Sequence, residues 1–217
     1  MLINVKKTKT MIFNYTDKYQ FTTRITVNNK NIEVIDSTKL LGTIISNDLK
    51  WDQNTAEIVR KANARMALLR KVAEFGSPVD DLKIIYIMYI RSLLEQSATV
   101  WHSRLTEENA SDLERVQKSA MKVIFQEKFN GYQNCLNKLN LPTLVERREQ
   151  LCLSFAQKCV KHPKTQELFP LNDKKHNIKI RKSEKYKVQH AHTDRLKFSS
   201  VIYMQNLLNQ NEDQASK

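Results

Sequence analysis

Glycine and proline are so scarce in this chain that they limit the folds it can adopt. The sequence has three glycines and four prolines in 217 residues. Tight turns and sheet corners depend on these two residue types, whereas the interiors of helices exclude them. The composition therefore disfavours a turn-rich β-sandwich and favours long helices. A hydrophobic fraction of 41% supplies enough apolar side chains for a core, which excludes a chain that is disordered throughout.

Residues 1–50 differ from the rest of the chain because short runs of β-branched and aromatic residues follow one another there. These runs predict short strands, and they read LINV, TKTMIFNY, FTTRITVNN, NIEVI and LLGTIIS. The pair Asn28-Asn29 predicts a tight hairpin, because asparagine tolerates a positive φ. Gly42 lies inside the last run, where a glycine marks a bulge, a corner or a close approach of the backbone to another group.

Beyond residue 52, apolar residues recur at helical spacing. In the first helical segment the stripe consists of Val59, Ala62, Met66, Leu69 and Ala73, and Gly76-Ser77-Pro78 ends it. The segments predicted as helices are 53–75, 79–102, a stretch from near Thr106 to before Gly131, 132–139, 142–162 and 196–208, with a polar tail after them. The predicted fold class is α+β and mostly α.

Basic residues dominate the charge of the chain. There are 36 Lys and Arg against 23 Asp and Glu, which gives a formal net charge of +13. This bias indicates a polyanionic partner, nucleic acid before an anionic membrane. A membrane partner is disfavoured, because the basic segment 173–197 lacks the Trp-, Phe- and Leu-rich face that binds lipid. A lysine-rich composition without such a partner is the alternative.

Five cationic side chains lie beside the apolar stripe of the first predicted helix. They are Arg60, Lys61, Arg65, Arg70 and Lys71. A helix that buries its stripe turns such residues outward, where they meet either phosphate groups or only water. Both interpretations stay open on the residues alone.

The sequence offers no recognisable catalytic or metal centre. GxSxG, Walker and GxGxxG motifs do not occur in it. The best metal candidate combines Cys152, Cys159 and His162 with Cys135. Apolar neighbours of the two helical cysteines favour small buried side chains instead, so no metal or cofactor is expected in this chain.

Cysteine usage and hydropathy indicate the compartment. Three cysteines without a CxxC pair argue against a disulfide framework and for a reducing environment. The N-terminal MLINVKKTKTMIF lacks the apolar core of a signal peptide. The most apolar stretch, 82–101, carries Lys83, Arg91 and Glu95, which predicts a buried helix rather than a membrane span. The predicted location is nuclear or cytoplasmic, not secreted.

Four residues have predicted structural roles. Arg91 and Glu95 lie four apart on one helix face, where they can form an ion pair. Trp51 and Trp101 can stack on nucleic-acid bases, but large aromatic residues beside helical stripes usually belong to the core. We therefore favour the core for both tryptophans.

A set of short motifs occurs in a fixed order along almost the whole chain. The most specific is Tyr89-Ile90-Arg91-Ser92-x-Leu94-Glu95, with Trp101 six residues further on. The others are Asn4-x-x-Lys7-Thr8-x-x-Met11-x-Phe13, Lys39-Leu40-Leu41-Gly42 with Leu49-x-Trp51, Leu113-Glu114-x-Val116-Gln117-x-x-Ala120, Leu139-x-Leu141-Pro142-x-Leu144, Arg147-Arg148 and Leu207-Leu208-Asn209. This ordered set resembles the C-terminal part of reverse transcriptases from non-LTR retrotransposons of the LINE-like, jockey type. Leu40, Asn54-Thr55 and Gln96 depart from the family's usual residues.

The resemblance implies a domain organisation and a function. Residues 1–52 would form a palm edge with the primer-grip hairpin, 53–126 the helical thumb, 127–165 a helical extension, and 166–217 a basic linker, short helix and polar tail. The chain would be a truncated fragment of an RNA-directed DNA polymerase that binds an RNA–DNA template–primer duplex, with the fingers and most of the palm missing upstream. The alternative is a standalone, non-catalytic helical protein that binds nucleic acid or another partner.

The resemblance also implies that this chain alone is inactive. No Tyr/Phe-x-Asp-Asp occurs in it, so the family's catalytic aspartates have no counterpart, and the Mg²⁺ of the intact polymerase has no ligands here. Lys7 would be the candidate proton donor to the leaving pyrophosphate in the intact enzyme.

By the same resemblance, Lys39, Leu41 and Gly42 belong to the primer grip, and the five cations of the first helix contact the duplex. Glycine suits the grip because a side chain there would hold the protein backbone away from the primer. Leu41 and Ile44 are expected to anchor the hairpin in the core. A simple hairpin corner is the alternative role for Gly42.

Overall fold

The computed structural model describes residues 4–14, 25–27, 29–172 and 184–215 of the chain. Helices account for most of these residues and the strands are short, so the protein is α+β and mostly α, as predicted. The chain divides into two compact units, Met1–Glu57 and Ile58–Lys217.

The described part of the first unit contains pairs of short strands. Strand β1 (Lys9–Thr10) pairs in parallel with β4 (Glu33–Val34), β2 (Thr26–Val27) pairs antiparallel with β3 (Lys30–Asn31), and β5 (Ser37–Leu40) pairs antiparallel with β6 (Thr43–Ser46). The predicted hairpin between ITV and IEVI is confirmed by the pairing of β2 with β3 and by the φ of 58° at Asn29. Asn28 lies outside the described residues.

Helices form the second unit and the end of the first. Helix α1 spans Asp52–Glu74, and α2 (Val79–Ile85) continues through a π-helical segment (Tyr86–Arg91) into α3 (Ser92–Glu95). The remaining helices are α4 (Ala98–Trp101), α5 (Glu107–Phe125), α6 (Tyr132–Leu139), α7 (Leu144–Lys161), α8 (Asp194–Lys197) and α9 (Ser200–Ala215).

Side-chain caps fix where the long helices α5 and α7 begin. Oγ1 of Thr106 accepts a hydrogen bond from the N–H of Asn109 at 3.1 Å. At α7, Thr143 and Glu146 form a reciprocal capping box with bonds of 3.2 and 2.9 Å. Such caps satisfy N–H groups that the first helical turn leaves without partners. These starts lie close to the predicted ones.

The continuous helix predicted over 79–102 is interrupted at Gln96 and Ser97. Ser97 adopts a φ of 55°, in the left-handed region, so the helix cannot continue through it. The carbonyl oxygen of Gln96 accepts the indole N–H of Trp101 at 2.9 Å, which replaces a helical partner. The prediction of one uninterrupted helix was therefore wrong, and a side chain five residues away stabilises the break.

The helix predicted over 196–208 is displaced: α8 ends at Lys197, and α9 begins at Ser200 and extends to Ala215. Tertiary contacts hold polar side chains of α9 near its predicted end. Asn209 accepts the N–H of Tyr186 at 2.9 Å and donates to the carbonyl oxygen of the same residue at 3.0 Å. Gln205 donates to the carbonyl oxygen of Leu168 at 2.8 Å. Around these bonds the buried cluster comprises Cys152, Ala156, Cys159, Phe169, Tyr186, Met204 and Leu208.

A buried polar network joins several helices of the second unit at Gln117 on α5. This side chain is fully buried. Its Oε1 accepts the hydroxyl of Tyr86 from the π-helical segment. Its Nε2 donates to the hydroxyl of Tyr132 on α6 at 2.9 Å and to the carbonyl oxygen of Pro142 at 3.1 Å. One amide thus connects the π-helical segment, α5, α6 and the entry to α7.

Glu114, one turn before Gln117, extends the network. Its carboxylate accepts the hydroxyl of Tyr132 and, at 3.1 Å, the N–H of Leu144 at the start of α7. Burial and the bond to Glu114 raise the pKa of Tyr132 far above its usual value, so the phenol stays protonated and remains a donor.

Across the parts of the chain that the structure describes, no helix has both the length and the apolarity needed to cross a membrane.

We expect the substitution Gln117→Ala to destabilise the second unit strongly. It leaves the buried hydroxyl of Tyr86 and the carbonyl oxygen of the half-buried Pro142 without these partners, which costs about 3 kcal/mol in the free energy of unfolding. Urea unfolding followed by far-ultraviolet circular dichroism measures this change.

The matched control is Gln157→Ala, because Gln157 is exposed on α7. Its cost should stay within about 0.5 kcal/mol. A loss below about 1 kcal/mol for Gln117→Ala would show that the network does not hold the helices together.

Candidate nucleic-acid interface

Helix α1 presents cationic side chains away from its buried side. The buried stripe consists of Ile58, Ala62, Met66, Leu69 and Ala73. Arg60 and Lys71 are exposed and, at 3.6 residues per turn, lie opposite this stripe and about 16 Å apart along the axis. Arg70 is exposed on one flank, whereas Lys61 and Arg65 are half-buried on the other. Val59, predicted in the stripe, is only half-buried.

Arg65 is fixed against the π-helical segment. Its guanidinium carbon lies 4.3 Å from the centroid of the Tyr89 ring, and its Nη1 donates to the carbonyl oxygen of Tyr89 at 2.5 Å. A planar guanidinium over an aromatic ring is a favourable cation–π arrangement. The orientation of this cation is therefore set before any ligand arrives.

The hairpin of β5 and β6 turns at Leu41 and Gly42. Their φ values are 49° and 91°, both in the left-handed region, as two-residue hairpin turns require. Gly42 therefore occupies a corner rather than a strand interior. The side chain of Leu41 is 90% exposed and that of Leu40 is 57% exposed.

The expectation that Leu41 anchors the hairpin in the core was wrong. A residue at the turn has no partner strand beside it, so its side chain extends into solvent. The anchoring contact is made instead by the N–H of Ile44, which donates to Oδ1 of Asn54 at 3.0 Å. Lys39 is exposed one residue before Leu40 and is paired in register with Ile44.

Lys7 is exposed at the end of a 3-10 turn over Val5–Lys7. The backbone N–H of Lys7 donates to the carbonyl oxygen of Asn4 at 3.0 Å, so the end of the predicted run LINV forms a turn rather than a strand. Strand β1 begins only after it.

The four residues predicted to be structural lie inside the protein or in ion pairs. Trp51 and Trp101 are both buried. Nε of Arg91 lies 2.9 Å from Oε1 of Glu95, and Nε of Arg147 donates to the same oxygen at 3.2 Å. Glu95 therefore holds two cations, which withdraws Arg91 from phosphate binding.

Arg148 adds to the net positive charge of the chain, but its side chain is not exposed to solvent. It is fully buried on α7, its Nε donates to Nδ1 of His102 at 3.3 Å, and its guanidinium lies near the ring of Trp101. Burial lowers the pKa of Arg148. Burial, and then the positive charge of Arg148, lower the pKa of His102 to about 4, so the imidazole is neutral and its Nδ1 can accept.

Cys152 and Cys159 pack in the buried cluster with α9, and Cys135 is buried elsewhere in the second unit. Burial raises the pKa of Cys152 to about 11, which keeps its thiol protonated. His162 is exposed and its Nδ1 accepts the N–H of Lys164 at 3.3 Å. Within the described ranges, no group of three or more His, Cys, Asp or Glu side chains is placed to hold a metal ion.

A groove of about 410 Å³ lies between α7 and α9. Its lining combines two carboxylates with amides and leucines, namely Glu146, Glu149, Gln150, Leu153, Leu207, Gln210 and Asn211. Carboxylates repel phosphate groups, so this groove does not suit nucleic acid. The better candidate for a nucleic-acid interface is the basic surface of α1, formed by Arg60, Lys61, Arg65, Arg70 and Lys71.

Comparisons of the chain with protein-family models, with curated proteins and with solved structures found no match. The resemblance to non-LTR reverse transcriptases therefore depends on the sequence motifs alone.

We expect Leu41→Asn to stabilise the hairpin, because asparagine tolerates the left-handed region better than leucine. Amide hydrogen exchange in β5 and β6 should slow about fivefold, which corresponds to about 1 kcal/mol. The control is Leu40→Asn at an exposed strand position, where no such gain is expected. Equal effects of the two substitutions would mean that the turn carries no strain at Leu41.

The pKa of His102 predicts a loss of stability in acid. Because folding lowers this pKa from 6.5 to about 4, the unfolded chain binds a proton between these values that the folded chain does not. The free energy of unfolding should therefore fall as the pH drops through this window, by up to about 3 kcal/mol. Urea unfolding at a series of pH values measures the fall.

His102→Gln retains an acceptor for Arg148 but cannot titrate, so its stability should vary less over the same pH window. His190→Gln, at an exposed position, should follow the natural chain. The assignment to His102 is contradicted if His102→Gln and the natural chain lose stability in parallel.

Proposed function

We propose that this chain binds the RNA–DNA template–primer duplex as the primer-grip and thumb part of a reverse transcriptase, without catalysing polymerisation itself. The observation that carries the proposal is the set of cations on α1, opposite and beside its buried stripe. Cations distributed along a rigid helix, away from its buried stripe, can contact successive phosphates without reading the base sequence.

The exposed hairpin turn is the second feature that supports this role. Leu41 and Gly42 protrude beyond the last strand pair, and Gly42 has no side chain to keep a ligand at a distance. The ordered motifs place the grip of the intact family at these residues. In the intact family, catalysis also needs aspartates that bind Mg²⁺, and this sequence contains no Tyr/Phe-x-Asp-Asp motif to provide them. Lys7 would be the candidate proton donor in such an intact enzyme.

A standalone helical protein that binds nucleic acid without any polymerase is the second candidate. The observation in its favour is that the helical unit, Ile58–Lys217, has its own buried core and polar network. Both candidates share the basic surface of α1, and they differ in whether the hairpin turn contributes to binding.

We expect binding to a labelled RNA–DNA hybrid with a recessed primer end to weaken steeply with salt. Arg70→Gln combined with Lys71→Gln removes two exposed cations of α1, so the slope of log K against log salt should become shallower by about 1.5 to 2. Fluorescence anisotropy from low to moderate salt measures this slope.

The matched control removes two exposed cations from the last turn of α7, by Lys158→Gln and Lys161→Gln, and should change the slope little. A slope near zero for the natural chain would overturn nucleic-acid binding altogether. Equal changes in both double variants would mean that the charge acts without a defined surface.

Leu41→Asn in the same assay separates the two candidates. In the reverse-transcriptase proposal it weakens binding to the recessed primer end, although the hairpin remains folded. In the standalone proposal it leaves the affinity unchanged.

A further inference from the structure

The π-helical segment turns two large side chains outward beside the basic surface of α1. Tyr86 and Ile90 of this segment are buried, whereas Met88 is 72% exposed and Tyr89 is 42% exposed. Short π-helical segments such as this one occur often at functional sites, because they point side chains in directions that differ from those in a regular α-helix. Tyr86 is held by Gln117, so the orientation of the segment is fixed from inside.

The pair of Tyr89 and Arg65 is a preformed planar surface. The guanidinium of Arg65 lies over the ring of Tyr89. It also donates a hydrogen bond to the backbone carbonyl oxygen of Tyr89, so the phenol hydroxyl takes no part in either contact. Flat aromatic rings and guanidinium planes are the groups on which unpaired nucleic-acid bases stack. Little side-chain freedom is left to be lost when a ligand binds.

The surroundings of this pair favour nucleic acid over protein. The large apolar side chains exposed along α1, α2 and the turn between them are Leu68, Phe75 and Ile84. Lys61 and Lys71 lie among them on α1, and lysine is depleted at protein interfaces, whereas arginine is found in both kinds of interface. Single-stranded nucleic acid combines phosphates with stacking bases, and it complements both features.

We infer that Tyr89 and Arg65, with Met88 beside them, form a stacking site for an unpaired base, so that the protein binds single-stranded nucleic acid next to the duplex. This inference rests on the proposed function, since the same cations of α1 would hold the phosphates. It adds a non-electrostatic contribution, which salt does not screen, to a surface that is otherwise electrostatic.

The test compares Tyr89→Ala with Tyr89→Phe on two probes, a single-stranded oligonucleotide and a blunt RNA–DNA duplex. Tyr89→Ala should weaken single-strand binding at least about fivefold, because one stacked base is lost. Tyr89→Phe keeps the ring and should stay within about twofold of the natural chain. Neither variant removes a charge, so the salt slope should stay the same. Tyr89→Ala frees Arg65, which is also a duplex contact, so a small loss of affinity for the blunt duplex is expected, well below the loss of single-strand affinity.

Thermal unfolding followed by circular dichroism checks that both variants fold, as expected for a partly exposed side chain. Unchanged single-strand binding in Tyr89→Ala, with duplex binding intact, overturns the stacking site and leaves the proposed function standing. Absence of binding to both probes in the natural chain overturns the proposed function itself. Self-association that only Tyr89→Ala abolishes, with single-strand binding unchanged, would assign this surface to protein contacts instead.

Discussion

The amide of Gln117 is the contact on which the helical unit depends most. Because it is fully buried, each of its bonds must be made inside the protein, and the partners lie on the π-helical segment, α6 and the entry to α7. A buried network of this kind fixes one arrangement of helices, since any other arrangement would leave polar groups without partners. Holding Tyr86 inward also directs Tyr89 outward towards Arg65.

Much of the helical architecture follows from the sequence, because its signals are local. Periodic apolar residues with Thr106 and Thr143 as caps define α5 and α7. The helix break at Ser97 has no glycine or proline from which it could be predicted. It depends on the hydrogen bond of the Trp101 indole to the carbonyl oxygen of Gln96. The contact that fixes Asn209 of α9 likewise depends on Tyr186, which is distant in sequence. Such tertiary bonds cannot be read from periodicity.

The candidate site was predictable in part. The stripe of α1 implies which cations point outward, but it does not reveal that Tyr89 orients Arg65 from 24 residues away. A pair of adjacent arginines looks like surface charge, yet Arg148 is buried against His102. Several residues that carry the family resemblance, among them Gln117, pack inside the unit. The resemblance therefore concerns the packing of the bundle at least as much as any contact with nucleic acid.

Lysine footprinting tests the central claim, that nucleic acid occupies the surface of α1, most directly. The reactivity of each lysine towards an acylating reagent is measured by mass spectrometry with and without a saturating RNA–DNA hybrid. Lys71 and Lys61 on α1 should become protected, while Lys158 and Lys161 on α7 keep their reactivity. Unchanged reactivity of the α1 lysines with the hybrid bound would contradict the account, because the duplex would then lie elsewhere on the protein.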